Sequence, residues 1–177
     1  MTIANALTLL RLCLIPLIVV LIHEGRFALA TVVFITAGLT DALDGYLARK
    51  LNQRTKIGAY LDALADKSLI AASLIALAYV QLVPFWLVVL VVFRDLMIVG
   101  AVAIAWLLHN PIAIEPLKVS KANTAAQIVA VAATLAIKGF MIPFPEAAMS
   151  GIYAVVAVLT VISVTAYFMA WFRHMAE

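Results

Sequence analysis

Long apolar stretches alternate with short polar links along this chain of 177 residues. The apolar segments cover about residues 6–22, 27–50, 58–81, 85–108, 119–138 and 147–172. An α-helix rises about 1.5 Å per residue, so roughly 20 apolar residues are enough to cross the hydrocarbon core of a bilayer. No link is long enough to separate two domains. The pattern therefore predicts an all-α integral membrane fold, a bundle of six transmembrane helices forming a single domain over residues 1–177.

Composition supports a membrane protein. Hydrophobic residues make up 67% of the chain and charged residues 12%, whereas a soluble domain carries roughly 25% charged residues. The formal net charge of +3 gives no indication of nucleic-acid binding. Cys13 is the only cysteine, so no intrachain disulfide can form. The first apolar segment is too long, and too poor in small residues at its end, for a cleaved signal peptide, so we expect it to be retained.

Lysine and arginine residues are distributed unequally between the two ends of the predicted bundle. Seven lie at one end, and two, Arg26 and Lys138, lie at the other. Because positive residues in short loops favour the cytoplasmic side, both termini are expected on that side of a bacterial or organellar inner membrane. The seven are Arg49, Lys50, Arg54, Lys56, Lys118, Lys121 and Arg173.

Four aspartates interrupt the apolar pattern at this same end. Asp41 and Asp44 close the second segment, and Asp62 and Asp66 begin the third. Like charges in a low-dielectric setting repel one another unless a positive charge lies between them. Helical residues three or four apart share a face, so two acidic faces can meet where these antiparallel helices are linked. The sequence predicts a site on the cytoplasmic side for one or two divalent ions, Mg²⁺ or Mn²⁺.

Small and basic residues lie between the aspartates. Gly45 and Gly58 leave room for a bulky ligand to approach the helix backbone closely. Arg49 follows Gly45 by one helical turn, and its guanidinium group could hold a phosphate. Carboxylates for metal, glycines for space and an arginine for an anion together indicate a site for a metal-bound diphosphate.

These residues fit the pattern D-x2-D-G-x2-A-R-x8-G-x3-D-x3-D without a gap, from Asp41 to Asp66. By this signature, and by six predicted spans that cover the chain, the protein resembles the CDP-alcohol phosphotransferase (CDP-alcohol phosphatidyltransferase) family. The resemblance implies an integral membrane enzyme that transfers a phosphate-linked group from a CDP-alcohol to an acceptor hydroxyl and releases CMP. Members of the family are commonly homodimers.

The resemblance also implies a role for each residue of the pattern. Asp41, Asp44, Asp62 and Asp66 would bind the divalent ions, and Asp66 would also act as the general base that takes the acceptor's proton. The residues around the cytidine and the diphosphate would be Asp41, Asp44, Gly45, Ala48, Arg49 and Gly58.

Further polar residues break the apolar segments away from the aspartates. They could form an anion pocket for an acceptor that carries a phosphate group of its own. The candidates are Asn5, Thr8, Arg11, Arg94, Lys118, Ser120 and Lys121. Interface anchoring of the first helix, a salt bridge between Arg94 and Asp95, and simple positive-inside lysines are the alternative interpretations.

Within the family, the segments GLTDALDGYLARK, FRDLMIVGAV and VSKANTAAQIVAVAA are most similar to the CMP-forming cardiolipin synthases. In that branch, phosphatidylglycerol accepts a phosphatidyl group from CDP-diacylglycerol. The alternative branch makes phosphatidylglycerophosphate from glycerol 3-phosphate, and it usually has a glutamate at Asp95 and a lysine at Asn123. Both branches commonly have a proline where this chain has Ala63.

Two other kinds of function agree less well with the pattern. Acidic residues within spans also occur in ion-coupled transporters, but those typically have matching halves with broken helices and acids near mid-membrane. This chain shows no repeated half, and its acids cluster at one end. A structural membrane protein would use the aspartates only in ion pairs with Lys67, Arg49 or Arg94, which would not explain their spacing.

Overall fold

A computed structural model describes residues 3–50, 56–107 and 118–175 of the chain, with side chains described at 8–40, 62, 64–100 and 118–169. These parts form six α-helices and no strand, as the pattern predicts. The helices are α1 (Ile3–His23), α2 (Phe27–Lys50), α3 (Lys56–Tyr79), α4 (Phe85–Leu107), α5 (Lys118–Gly139) and α6 (Glu146–Met175).

Three helices end in the same way, with a residue of positive φ just beyond the last turn. Gly25 (φ 73°), Gln81 (φ 60°) and Met141 (φ 51°) take this conformation. After each one, the next amide reaches five residues back, as in the 2.9 Å bond from Leu82 N to Leu77 O. The third helix therefore ends at Tyr79, two residues earlier than the apolar pattern predicts.

The chain divides into two compact units. The first comprises Met1–Val83 and Val131–Pro143, and the second comprises Pro84–Ala130 and Phe144–Glu177. In the first unit, α1 packs against both α2 and α3, and in the second, α4 packs against α6. Ile18, Ile22 and Leu77 are among the fully buried apolar side chains of the first unit, and Leu87 and Val91 are among those of the second.

One helical segment in the described part of the chain, Glu146–Met169, is long and apolar enough to cross a membrane by length and composition. Thr8–His23 and Phe27–Thr40 are shorter apolar segments. That all six helices span a membrane stays a prediction, as does a single domain over residues 1–177.

Gly139 lies where the end of α5 meets the beginning of α2. A Cβ atom at this position would lie 2.5 Å from the Ala28 backbone nitrogen and 2.7 Å from both the Ala28 Cα and the Phe27 carbonyl carbon. All three atoms belong to the backbone, so no side-chain rotation can relieve the overlap. The close approach of these two helices therefore requires glycine.

We expect Gly139→Ala to lower the free energy of unfolding by about 1–3 kcal/mol, because α2 and α5 must move apart to admit the methyl group. Thermal unfolding of the purified protein in detergent measures the effect. Gly151→Ala, within α6, is the matched control, since a Cβ there meets nothing within 4 Å. In the control, the free energy of unfolding should be unchanged or higher by up to about 1 kcal/mol. Equal melting temperatures for the two variants would contradict the close packing of α5 on α2.

Candidate active site

Two of the predicted metal ligands, Asp62 and Asp66, lie one helical turn apart near the beginning of α3. Both carboxylates accept a hydrogen bond from the same atom, Nη1 of Arg11 on α1. The distance is 2.9 Å to Oδ1 of Asp62 and 2.6 Å to Oδ1 of Asp66. Hydrogen bonds between ionised groups at such distances are among the stronger ones in proteins. The arrangement joins α1 to α3 at the acidic end of the first unit.

Burial differs sharply across this cluster. The Arg11 side chain is 1% exposed, whereas those of Asp62 and Asp66 are 40% and 37% exposed. The cation therefore lies beneath the two carboxylates, and the carboxylates face outward. Carboxylate oxygens are thus presented on the accessible side. This arrangement suits the approach of a further cation.

Arg11 was predicted to help bind the acceptor, together with Asn5 and Thr8. In the structure Arg11 contacts two of the acids, a pairing not anticipated from the sequence. Its role in acceptor binding stays a prediction. Thr8, one turn earlier on α1, is buried as well. The side chain of Asn5 lies outside the described residues.

The other half of the predicted metal site lies on α2, which extends through Asp41 and Asp44 to Lys50. The side chains of residues 41–61 lie outside the described part of the chain. This applies to the predicted ligands Asp41 and Asp44, and to Gly45, Ala48, Arg49 and Gly58. Among the side chains that are described, no three acids, histidines or cysteines are grouped as metal ligands.

The described pair nevertheless fits a divalent ion. Carboxylate oxygens are the hard donors that Mg²⁺ and Mn²⁺ prefer. Asp62 and Asp66 present theirs from one face of one helix, and both side chains are partly exposed. Because α1 packs against both α2 and α3, the helices that carry the four aspartates share one partner in the first unit.

A second polar cluster lies in the second unit, around Arg94 on α4. The Arg94 guanidinium donates to the neighbouring Asp95 carboxylate, to Oγ of Ser120 at 2.5 Å, and to Oγ of Ser163 at 3.0 and 3.2 Å. The arginine is 1% exposed. Two predicted acceptor residues, Arg94 and Ser120, are thus in contact. The ion pair with Asp95 matches the alternative interpretation.

The remaining predicted acceptor residues, Lys118 and Lys121, begin α5 and are exposed. Their side chains point away from the buried polar residues of the same helix. The structure therefore separates the basic residues of α5 from its hydroxyl and amide residues.

Sequence reasoning missed Ser163 and Thr160 on α6. Ser163 accepts hydrogen bonds from Arg94, and Thr160 donates to Oδ1 of Asn123 at 3.0 Å. Both α6 residues are fully buried. A hydroxyl in an apolar helix gives little signal because it can bond to its own backbone, as Thr160 also does to Val156 O. Their spacing of three residues on one face was the available clue.

Comparison with known proteins identifies a family and relatives to which this chain is similar. The family model described as CDP-alcohol phosphatidyltransferase matches residues 1–165. A human cardiolipin synthase (CMP-forming) is 39% identical over 151 residues, which is 76% of this chain and 50% of the human protein. A CDP-diacylglycerol--glycerol-3-phosphate 3-phosphatidyltransferase from Bacillus subtilis is 36% identical over 146 residues, 74% of this chain and 75% of that protein.

The match spans about half the length of the human and rat synthases. The family model covers most of this chain, including the four aspartates together with Arg11 and Arg94. The chain therefore belongs to the CDP-alcohol phosphatidyltransferase family.

Proposed function

We propose that this protein is a membrane phosphatidyltransferase. It transfers the phosphatidyl group of CDP-diacylglycerol to an acceptor hydroxyl and releases CMP, with a divalent metal ion as cofactor. The observation that carries the proposal is the outward-facing pair Asp62 and Asp66, held by one buried arginine, within a chain of this family.

The reaction exchanges one phosphorus–oxygen bond for another. The acceptor's hydroxyl oxygen bonds to the phosphorus that carries the diacylglycerol group, and the bond from that phosphorus to CMP breaks. The proton of the hydroxyl group needs a base in the transition state. We assign this role to Asp66, whose orientation is restrained by its 2.6 Å bond to Arg11. A divalent ion, when bound, would neutralise the charge of the diphosphate.

We assign the binding of this ion to Asp41, Asp44, Asp62 and Asp66. The cytidine diphosphate would be bound by Gly45, Ala48, Arg49 and Gly58 together with Asp41 and Asp44. Support for this assignment comes from the unbroken fit of these residues to the family's pattern and from the paired carboxylates on α3.

Acceptor recognition is assigned to the polar residues outside the acidic motif. Arg94 and Ser120 are already in contact, and Lys118 and Lys121 add exposed positive charge on α5. Asn5, Thr8 and Arg11 complete the assignment on α1. Such residues suit an acceptor that carries a phosphate group.

Phosphatidylglycerol is the acceptor we favour, which would make the enzyme a cardiolipin synthase. The similarity to the human and rat cardiolipin synthases supports it. Glycerol 3-phosphate is the second candidate, because the Bacillus subtilis enzyme named for it matches over three quarters of its own length.

A membrane location agrees with the surface of the helices. Large apolar side chains are exposed on several of them, among them Leu39 (58%), Leu96 (66%) and Val158 (57%). Exposed apolar residues in such number are costly in water and favourable against lipid. We propose six spans in a bacterial or organellar inner membrane, with the acidic end and both termini on the cytoplasmic or matrix side. We also propose a homodimer, following the family resemblance.

Asp66→Asn should reduce CMP release from CDP-diacylglycerol by at least about 100-fold, because the amide cannot accept the acceptor's proton. The assay measures CMP released by the purified protein in detergent with Mn²⁺ and phosphatidylglycerol. Glu146→Gln makes the same chemical change at an exposed acid of α6 and should leave the rate within about twofold. Normal release by Asp66→Asn would remove this residue from the mechanism.

Removal of divalent ions should abolish CMP release from the wild-type protein. Treatment with EDTA followed by removal of the chelator prepares the metal-free enzyme, and addition of Mg²⁺ or Mn²⁺ should restore the rate. Addition of Na⁺ at equal ionic strength is the control. Full activity of a preparation shown by elemental analysis to be free of divalent ions would rule out the metal site.

Supplying one acceptor at a time distinguishes the two candidate reactions. With CDP-diacylglycerol and Mn²⁺ present, we expect phosphatidylglycerol to support CMP release and cardiolipin formation. We expect glycerol 3-phosphate to give less than about one tenth of that rate. Release with glycerol 3-phosphate alone would identify the second candidate as the correct one.

A further inference from the structure

In the first unit, one arginine nitrogen is shared between two carboxylates. Nη1 of Arg11 lies 2.9 Å from Asp62 and 2.6 Å from Asp66. These acids lie one turn apart on α3, and like-charge neighbours at this spacing destabilise a helix. A positive group between them removes that repulsion. In the proposed function a divalent ion does the same for the same two acids.

The positive and negative groups of this contact differ in their exposure to solvent. The guanidinium is buried at 1% exposure, whereas the acids are more than a third exposed. An ion that reaches the acids from the accessible side would meet them opposite Arg11. The ion and the arginine would then share the same two carboxylates, each attracted by them and repelled by the other. Arg11 must therefore affect how tightly the ion binds.

We propose that Arg11 is a resident counter-ion for Asp62 and Asp66. It keeps the two carboxylates in place when the divalent ion is absent, and it weakens the hold on the ion when the ion is present. In this role Arg11 is a positioning residue, which acts on the ion through the two acids. This inference rests on the proposed function only in taking Asp62 and Asp66 as metal ligands.

The direction in which the affinity for the ion changes when Arg11 is removed distinguishes this role from a purely structural one. If Arg11 only supported the fold, its loss would leave Asp62 and Asp66 without a fixed position, and the ion would bind less tightly. If Arg11 opposes the ion, its loss should make the ion bind more tightly. The stability lost by removing Arg11 should also be regained when the ion is supplied, since the ion then offsets the same repulsion.

The experiment measures Mn²⁺ binding directly, by electron paramagnetic resonance of free Mn²⁺ during titration of the detergent-solubilised protein. We expect Arg11→Gln to bind Mn²⁺ about tenfold more tightly than the wild type. Its melting temperature should be lower than that of the wild type in EDTA, and the difference should shrink by at least half at saturating Mn²⁺. If the variant folds only with the ion, it is prepared in Mn²⁺, and its affinity is measured by competition with a chelator.

Two variants serve as controls. Arg94→Gln removes a second buried arginine among the described side chains, which contacts Asp95, Ser120 and Ser163 within the second unit. It should lower the melting temperature equally with and without Mn²⁺ and leave the affinity for Mn²⁺ within about twofold. Arg11→Lys keeps the positive charge, and its affinity should stay within about threefold of the wild-type value.

The outcomes separate the two proposals. A wild-type protein that binds no Mn²⁺ would overturn the metal site and the proposed function with it. A wild-type protein that binds Mn²⁺, with equal or weaker binding by Arg11→Gln, would overturn only the role of Arg11 as a counter-ion. The same holds if the loss of stability persists unchanged at saturating Mn²⁺.

Discussion

The contact between Arg11 and the two acids of α3 joins the helices on which the proposed chemistry depends. Charged groups among apolar helices are costly unless each finds a partner. Arg11 is almost completely buried, and its Nη1 bonds to Asp62 and Asp66 at 2.9 and 2.6 Å. The same contact fixes the rotation of α1 against α3, because either helix turned about its axis would leave a buried charge without this partner. The position of the carboxylates thus follows from the same interaction that sets the packing.

The buried arginines Arg11 and Arg94, one in each unit, have different kinds of partner. Arg11 is paired with two carboxylates that are both partly exposed. Arg94 is paired with one mostly buried carboxylate and the hydroxyl groups of Ser120 and Ser163. Its described partners include two hydroxyl groups. The first environment suits a cation, and the second suits a polar or anionic group that can exchange hydrogen bonds with Arg94.

Much of the fold could be predicted from the sequence, because the features that define it are local. The six helices correspond to the six apolar segments, and Pro84 and Pro143 lie beside the breaks. The third helix ends earlier than predicted because Gln81 adopts a left-handed conformation. Such a conformation is usually indicated by a glycine, and this position has none. The spacing of Asp62 and Asp66 also predicted correctly that one face of a helix would present both. This followed from the helical period alone.

The sequence by itself determined where helices form and which acids share a helix face, since both depend on residues only a few positions apart. Which residue balances those acids was decided by tertiary structure. Arg11 is separated from Asp62 by 51 residues and from Asp66 by 55, and Ser163 from Arg94 by 69. Such partners depend on which helices pack together and on how each is rotated. Packing and rotation are determined by the free energy of the whole packed unit, so they cannot be predicted from the sequence of a single segment.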